Sequence, residues 1–161
     1  MENSHNQSDG ALNINAHNEI KKFGLSKKEI LRGHDAFLFV LRNSVVFSTD
    51  YLKLFVNKVN VTEPVGLNQS PLLTNSLKVG FIIARKKIRK AVLRNRIRRL
   101  LKESFRLNKH LFCSLKDAVI IFSLSEKGYQ CFLSLPSQNI FNFNNEMIQA
   151  AEKINKYFSD K

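Results

Sequence analysis

The sequence predicts an α+β fold, a small two-layer sandwich in which helices pack on a four-stranded sheet. The chain has 161 residues, of which 43% are hydrophobic, so it can bury one core but hardly two. Four short segments show strand-like patterns, and three others show patterns that favour helices. In chain order they read helix, strand, strand, strand, helix, strand, helix, which is typical of helices packed on one sheet.

The first half of the chain begins with a polar segment and a short helix. Residues 1–22 are rich in Asn, Ser and Gln. They therefore predict a disordered tail in front of a single domain at 23–161, because such a segment buries too little apolar surface to offset its ordering entropy. Asp35 is a suitable N-cap for a short helix through AFLFVL.

A hairpin follows this helix. The runs SVVFS and YLKLFVNKV have strand character, and the polar interval 48–50 between them suits a turn. In the second run one face is apolar and consists of Leu52, Leu54 and Val56. The other face mixes aromatic rings with a cation and consists of Tyr51, Lys53 and Phe55.

The second half alternates strands and helices. A loop at 60–77 leads to LKVGFIIA, whose four consecutive apolar residues favour a central strand. A helix is predicted over about 87–108, and AVIIF is predicted as a buried strand. A polar connection at 134–145 then leads to a last amphipathic helix, NNEMIQAAEKINKYF.

The helix in the middle of the chain is unusually basic. At 100° per residue its apolar residues share one arc that can pack on the sheet, and cations take much of the remaining circumference. Glu103 is the only acid between residues 85 and 106. This stretch holds 11 of the 26 basic residues, namely Arg85, Lys86, Lys87, Arg89, Lys90, Arg94, Arg96, Arg98, Arg99, Lys102 and Arg106.

Such crowding of like charge destabilises the isolated chain. Cations spaced i,i+4, such as Arg94 and Arg98, repel by about 0.2–0.5 kcal/mol per pair. A polyanion would remove this penalty, and the net charge of +13 points the same way. Guanidinium groups bind phosphate oxygens in bidentate fashion, and Asn95 lies among them as both donor and acceptor. The eleven cations and Asn95 are therefore predicted to bind nucleic acid, rather than to form the mixed-charge face of an ordinary solvated helix.

Membrane binding and catalysis by the chain itself are both disfavoured. The apolar arc of the basic helix is needed by the sheet, and no segment approaches the roughly 18 apolar residues of a membrane span. The N-terminus has no feature of a secretory signal, so we expect a cytoplasmic protein. The acids are dispersed and the Cys and His residues lack metal-ligand spacing. We therefore expect no catalytic residue, no metal and no cofactor bound by this chain.

The stretch VGFIIARKKIRKAVLRNRIRRLLKESFR resembles the hallmark of the protein subunit of bacterial ribonuclease P. That hallmark is a strand with Gly and hydrophobic residues, then A-K-K-x-V-R-x-A, then R-N-R followed by further basic residues and R-E. The matching positions are Gly80, Ala84, Lys86, Ile88, Arg89, Ala91, Arg94, Asn95, Arg96, Ile97, Arg98, Arg99, Leu100, Lys102 and Glu103. Weaker likeness lies at Asp35, Phe37 and Val40, and at Asp117 followed by VIIF.

The resemblance implies a function and a topological detail. A protein of this family binds the large catalytic RNA and, in a cleft between the first helix and the sheet, the single-stranded 5′ leader of precursor tRNA. The RNA cleaves the phosphodiester with metal ions, Mg²⁺ being expected, and the protein assists as a monomer. The family fold has a left-handed βαβ crossover. Because bases stack on aromatic rings beside cations, Phe37, Tyr51, Lys53 and Phe55 are predicted to form the leader-binding cleft.

Two other classes of protein share some of these features. A ribosomal or ribosome-assembly protein is also small and basic, and it would bind folded RNA without a preference for a leader. A helix-turn-helix repressor also carries a basic helix, but it needs a second short helix just upstream, where LKVGFIIA favours a strand. We therefore keep the ribosomal alternative and expect no DNA partner.

Overall fold

The structure, a computed structural model, describes residues 24–58, 76–134 and 143–160. Its helices and strands follow the predicted order, with one further helix after the last strand. They are α1 (His34–Arg42), β1 (Val45–Ser48), β2 (Leu52–Lys58), β3 (Lys78–Phe81), α2 (Ala91–Asn108), β4 (Ala118–Leu124), α3 (Glu126–Ser134) and α4 (Asn144–Ser159). A short 3-10 helix, Lys109–Phe112, continues from α2.

The four strands form one sheet in the order β1-β2-β4-β3. The predicted hairpin is confirmed, because β1 and β2 are antiparallel with Val45 opposite Val56. β2 also pairs antiparallel with β4, and β3 lies parallel to β4. β3, α2 and β4 therefore form a βαβ unit, whose left-handed crossover stays a prediction.

The sheet has a hydrophobic cluster on each face. The larger cluster joins β2, β3 and β4 to α2 and α4, and it contains Leu54, Ile97, Phe105, Phe122 and Met147, each fully buried. Neighbouring rings of its four central phenylalanines lie 5.5–6.3 Å apart between centroids. The smaller cluster joins the opposite face to α1 and contains Leu31, Ala36, Val40, Val119 and Ile121. α1 and α2 thus pack on opposite faces of the sheet.

The prediction that β3 is a central strand is wrong, because β3 ends the strand order. Its apolar run is nevertheless buried. The preceding segment covers its outer edge: the Val79 N–H donates to the Glu29 carbonyl at 2.7 Å, and the Leu31 N–H donates to the Val79 carbonyl at 2.8 Å. Burial of a terminal strand under another segment gives the same continuous apolar pattern as a central position.

Two predicted helix starts are also wrong. α1 begins at His34 with Gly33 as N-cap at φ 88°, so Asp35 lies in the first turn instead of capping it. α2 begins at Ala91, not near residue 87. Residues 85–87 form a turn in which the N–H groups of Lys87 and Ile88 donate to the Ala84 carbonyl. Burial of Ile88, which is 1% exposed, fixes this turn and delays the helix.

Three predicted segments fall wholly or largely outside the described residues. They are the tail at 1–22, the loop at 60–77 and the connection at 134–145. α3 was not predicted at all. Its signals are Ser125, whose hydroxyl accepts the Gly128 N–H at 3.1 Å in the manner of an N-cap, and the buried pair Tyr129 and Phe132 at helical spacing.

Candidate nucleic-acid interface

The outer face of α2 and the turn before it hold the predicted cationic surface. The predicted apolar arc of the helix is confirmed, because Ile97, Leu101 and Phe105 are fully buried against the sheet. The opposite side reaches solvent, and the structure places the predicted residues there in two groups. Arg85, Lys86, Lys87, Arg89, Lys90, Asn95, Arg99 and Lys102 are exposed, and Arg94, Arg96, Arg98 and Arg106 are half-buried.

Two of these cations, Lys87 and Arg106, form ion pairs with acids in the described part of the chain. Lys87 Nζ lies 2.8 Å from Glu126, and Arg106 lies 2.6 Å from Glu103. The hydrogen bond from Arg106 lowers the pKa of the Glu103 carboxyl and raises that of the guanidinium. Within the described ranges the side chains of six further cations have neither an ionic partner nor a hydrogen bond, namely Arg85, Lys86, Arg89, Lys90, Arg99 and Lys102. Their charge remains available to an external anion.

The N-terminus of α2 reinforces this positive potential. Its N-cap, Lys90, makes no side-chain cap, and the first turn contains no acid. The exposed N–H groups and the helix dipole therefore add to the charge of the nearby cations instead of being offset by a carboxylate. Together they form a surface on which a phosphate group would be stabilised.

Arg94 has a structural role within this surface. Its Nη1 donates to the carbonyl of Ile88 at 3.0 Å and to that of Arg89 at 2.6 Å. The guanidinium thereby holds the turn before the helix in place. Arg98 instead donates to the Asn95 side-chain oxygen at 2.9 Å, along the outer face of the helix, which orients both predicted residues toward solvent.

The predicted cleft residues are brought together only in part. Phe37 and Phe55 are both half-buried and pack on the smaller cluster, between α1 and the sheet. Lys53 is exposed, and its Nζ lies 5.4 Å from the centroid of the Phe55 ring. Tyr51 lies apart from them, because it packs against the larger cluster and faces Lys127, whose Nζ is 5.1 Å from its ring centroid.

One apolar residue beside this cleft was missed by the sequence prediction. Val46 is 48% exposed and lies directly opposite Phe55 across the hairpin, so both side chains project from the same face of the sheet. The alternation of the first strand would have indicated Val46 once its register with β2 was known.

Possible metal-ligand clusters and membrane spans are absent from the described residues. No group of three or more His, Cys, Asp or Glu side chains in the described ranges is placed to hold a metal ion. Over the same ranges, no helix combines the length and apolarity needed to cross a bilayer.

The fold and this surface define a small, strongly basic α+β protein with an exposed cationic helix. Over residues 25–133 the sequence matches the family model described as Ribonuclease P. The chain therefore belongs to the ribonuclease P protein family.

Individual relatives agree with this membership. The ribonuclease P protein component of Prochlorococcus marinus is 30% identical over 127 residues, which cover 78% of this chain and 88% of the relative. That of Nitrosomonas europaea is 36% identical over 85 residues, so the matched part spans 53% of this chain and only 60% of the relative. The ribonuclease P protein of Thermotoga maritima has the same fold, with a TM-score of 0.51 at 20% identity over 80% of this chain and 94% of that one.

Proposed function

We propose that the chain is the protein component of ribonuclease P. It would bind the catalytic RNA subunit and the 5′ leader of precursor tRNA, and so assist the endonucleolytic removal of the leader that gives the mature tRNA 5′ end. The observation that supports this most directly is the set of cations on and before α2 that have no ionic partner among the described residues, in a chain of this family.

The cationic helix is the proposed contact with the catalytic RNA. Six cations whose side chains have no partner among the described residues repel one another, and counterion release on phosphate binding converts this cost into affinity. Arg99 and Lys102 both lie on the exposed face of α2 and are available for such contacts. The open N-terminus of α2 offers further phosphate contacts.

The face of the sheet beside α1 is the proposed contact with the leader. Phe37 and Phe55 each expose part of a ring, and Lys53 lies next to the second ring. Stacking on such rings contributes about 1–3 kcal/mol per base without regard to sequence. Because α1 and α2 lie on opposite faces of the sheet, the two RNA segments would be bound at separate surfaces.

In this proposal the RNA performs the chemistry and the protein supplies binding. The RNA would use Mg²⁺ for phosphodiester hydrolysis, and the chain itself would bind no cofactor. It would act as a monomer on the RNA in the cytoplasm, with neither DNA nor a membrane as partner.

The test is reconstitution with a bacterial ribonuclease P RNA. At low Mg²⁺, where the RNA alone neutralises its own charge poorly, the purified chain is expected to raise the rate of precursor tRNA cleavage. The measurement is the single-turnover rate with and without protein. A folded chain that binds RNA yet gives no stimulation would instead favour the ribosomal alternative, which the family membership does not support.

A matched pair of variants localises the effect. The double variant Arg99→Ala and Lys102→Ala removes two exposed cations from α2 and is expected to lose most of the stimulation at limiting protein concentration. The double variant Lys116→Ala and Lys156→Ala removes the same charge from exposed positions outside the proposed surface, and it is expected to retain the stimulation. Equal losses in both variants would show that only net charge matters.

A further inference from the structure

A pocket of about 340 Å³ lies where α3 meets the turn before α2. Its apolar lining consists of Ile88, Leu93, Phe132 and Leu133. Three of these side chains belong to the larger cluster or pack against it. Leu133 does not, because it is 54% exposed on α3 and contributes little to the core. A large apolar side chain left open beside an apolar pocket indicates a surface that a ligand can cover.

The rim of the same pocket is cationic. It is formed by Lys86, Lys87, Arg89 and Lys90. Lys87 is paired with Glu126, whereas the side chains of the other three have no ionic partner within the described ranges. The occupant that fits is therefore amphipathic, with a flat or bulky apolar part for the floor and a negative charge for the rim.

The rim cations also belong to the proposed RNA surface, so the pocket is continuous with it. A paired base is stacked inside its duplex and cannot reach an apolar floor, whereas an unpaired base can be turned out, with its own phosphate a short distance away. Apolar floor and cationic rim are the two features that such a nucleotide requires.

We propose that this pocket receives one unpaired nucleobase of the bound RNA, with its flanking phosphate held by Lys86, Arg89 or Lys90. The proposal rests on the proposed function, since it assigns a structural element of the RNA to one part of the cationic surface. In this proposal α3 takes part in RNA recognition, and the exposed Leu133 side chain contacts the nucleobase.

The test uses the full chain and a bacterial ribonuclease P RNA. Leu133→Ala removes the exposed part of the floor and is expected to weaken RNA binding about fivefold, because the base loses part of the apolar surface that it would cover. The slope of the logarithm of RNA affinity against the logarithm of salt concentration should not change, because no phosphate contact is lost. Chemical probing of the RNA should show one unpaired base that the native protein protects and the variant does not.

Two further variants sharpen the result. Leu133→Phe keeps an apolar surface on which a base can stack, and it is expected to restore both affinity and protection. Ile148→Ala shortens an apolar side chain on α4 that is also exposed, at 40%, and it is expected to change neither the affinity nor the protection. Because Leu133 is exposed, all three variants should unfold at nearly the temperature of the native protein.

The outcomes separate this proposal from the proposed function. If the native chain binds the RNA while Leu133→Ala behaves like Ile148→Ala, the pocket proposal is overturned and the function stands. The pocket proposal is also overturned if Leu133→Ala weakens RNA binding but changes the salt dependence and leaves no base newly accessible to the chemical probe. Failure of the native chain to bind the RNA would overturn both.

Discussion

At the scale of single residues, neighbouring arginines of the same motif have different structural roles. Arg94 is bound to the carbonyls of Ile88 and Arg89 and therefore shapes the turn, whereas Arg98 lies along the outer face of α2 and donates a hydrogen bond to the Asn95 side chain. Both were predicted to bind RNA on the strength of charge and position. The structure adds that one of them also stabilises the fold.

This difference predicts separable effects of two substitutions. If about six cations meet phosphates, the logarithm of RNA affinity falls with the logarithm of salt at a slope of roughly −4 to −5, and Arg94→Ala and Arg98→Ala each flatten it by nearly one unit. Arg94→Ala should also lower the free energy of unfolding by about 1–3 kcal/mol, because two carbonyls lose their donor. Arg98→Ala should change it by less than about 0.5 kcal/mol.

Salt-dependent binding and urea unfolding measure these two quantities. A slope near zero for the native chain would show that α2 is not the contact surface. Equal stability of the two variants would show that the Arg94 hydrogen bonds contribute nothing to the turn.

Gly80 is a second residue whose role is visible only in the structure. A methyl group at this position would lie 2.8 Å and 2.9 Å from two atoms of the Phe37 ring. Gly80→Ala is therefore expected to displace that ring, to lower the free energy of unfolding by about 1–3 kcal/mol and to weaken leader binding more than binding of the catalytic RNA. The measurement compares the affinity for precursor tRNA with that for mature tRNA. Unchanged discrimination between them would argue against Phe37 as a leader contact.

At the scale of elements, the segment before α1 is held by more than its backbone bridge to β3. Glu29 forms an ion pair with Lys109 in the 3-10 helix and accepts the Ser26 N–H at 2.8 Å. Burial raises the pKa of Glu29, but the hydrogen bonds from Lys109 and Ser26 and the positive charge of Lys109 lower it more, so that it falls below its ordinary value of 4.5. The charged form of Glu29 therefore stabilises the folded state.

The sign of this shift predicts a pH dependence. Because the folded-state pKa of Glu29 is the lower one, its contribution is present above the unfolded value of 4.5 and is lost as pH falls through the folded value. Glu29→Gln should lower the melting temperature at pH 7, and the difference from the native chain should shrink as the pH is lowered below 4.5. Glu152→Gln, at an exposed position on α4, serves as the control and should have little effect at either pH. A difference that stays constant with pH would contradict the prediction.

At the scale of the whole molecule, charge is the dominant feature. The chain has a net charge of +13. The structure shows four ion pairs between described residues, and in three of them at least one of the two side chains is more than one-third exposed. Such surface pairs contribute about 0–1 kcal/mol each and cannot offset the repulsion of so large an excess. The free protein is therefore under electrostatic strain that a polyanion would relieve.

This excess predicts that salt stabilises the free protein. Raising NaCl from about 0.05 M to about 0.5 M shortens the screening length and is expected to raise the melting temperature by about 2–4 °C. The variant with Arg99→Ala and Lys102→Ala should show a smaller rise, because it starts with less repulsion. A melting temperature that falls with salt would show that internal ion pairs outweigh the repulsion.

The sequence was sufficient to predict the α+β class, the cationic face of α2 and the order of the elements other than α3. These features follow from periodicity and charge, which are local: Ile97, Leu101 and Phe105 recur at helical spacing whatever they pack against. The family resemblance rested on the same contiguous stretch. Placement of the RNA contacts on these residues remains a prediction for the experiments above.

Tertiary structure decided what depends on contacts between distant segments. It set β3 at the end of the strand order under residues 29–31, separated Tyr51 from Phe37 and Phe55, and delayed α2 to Ala91 through burial of Ile88. It also brought Leu133 to the cations before α2. Local sequence patterns could not predict these placements, because an apolar residue gives the same pattern whichever segment of the chain buries it.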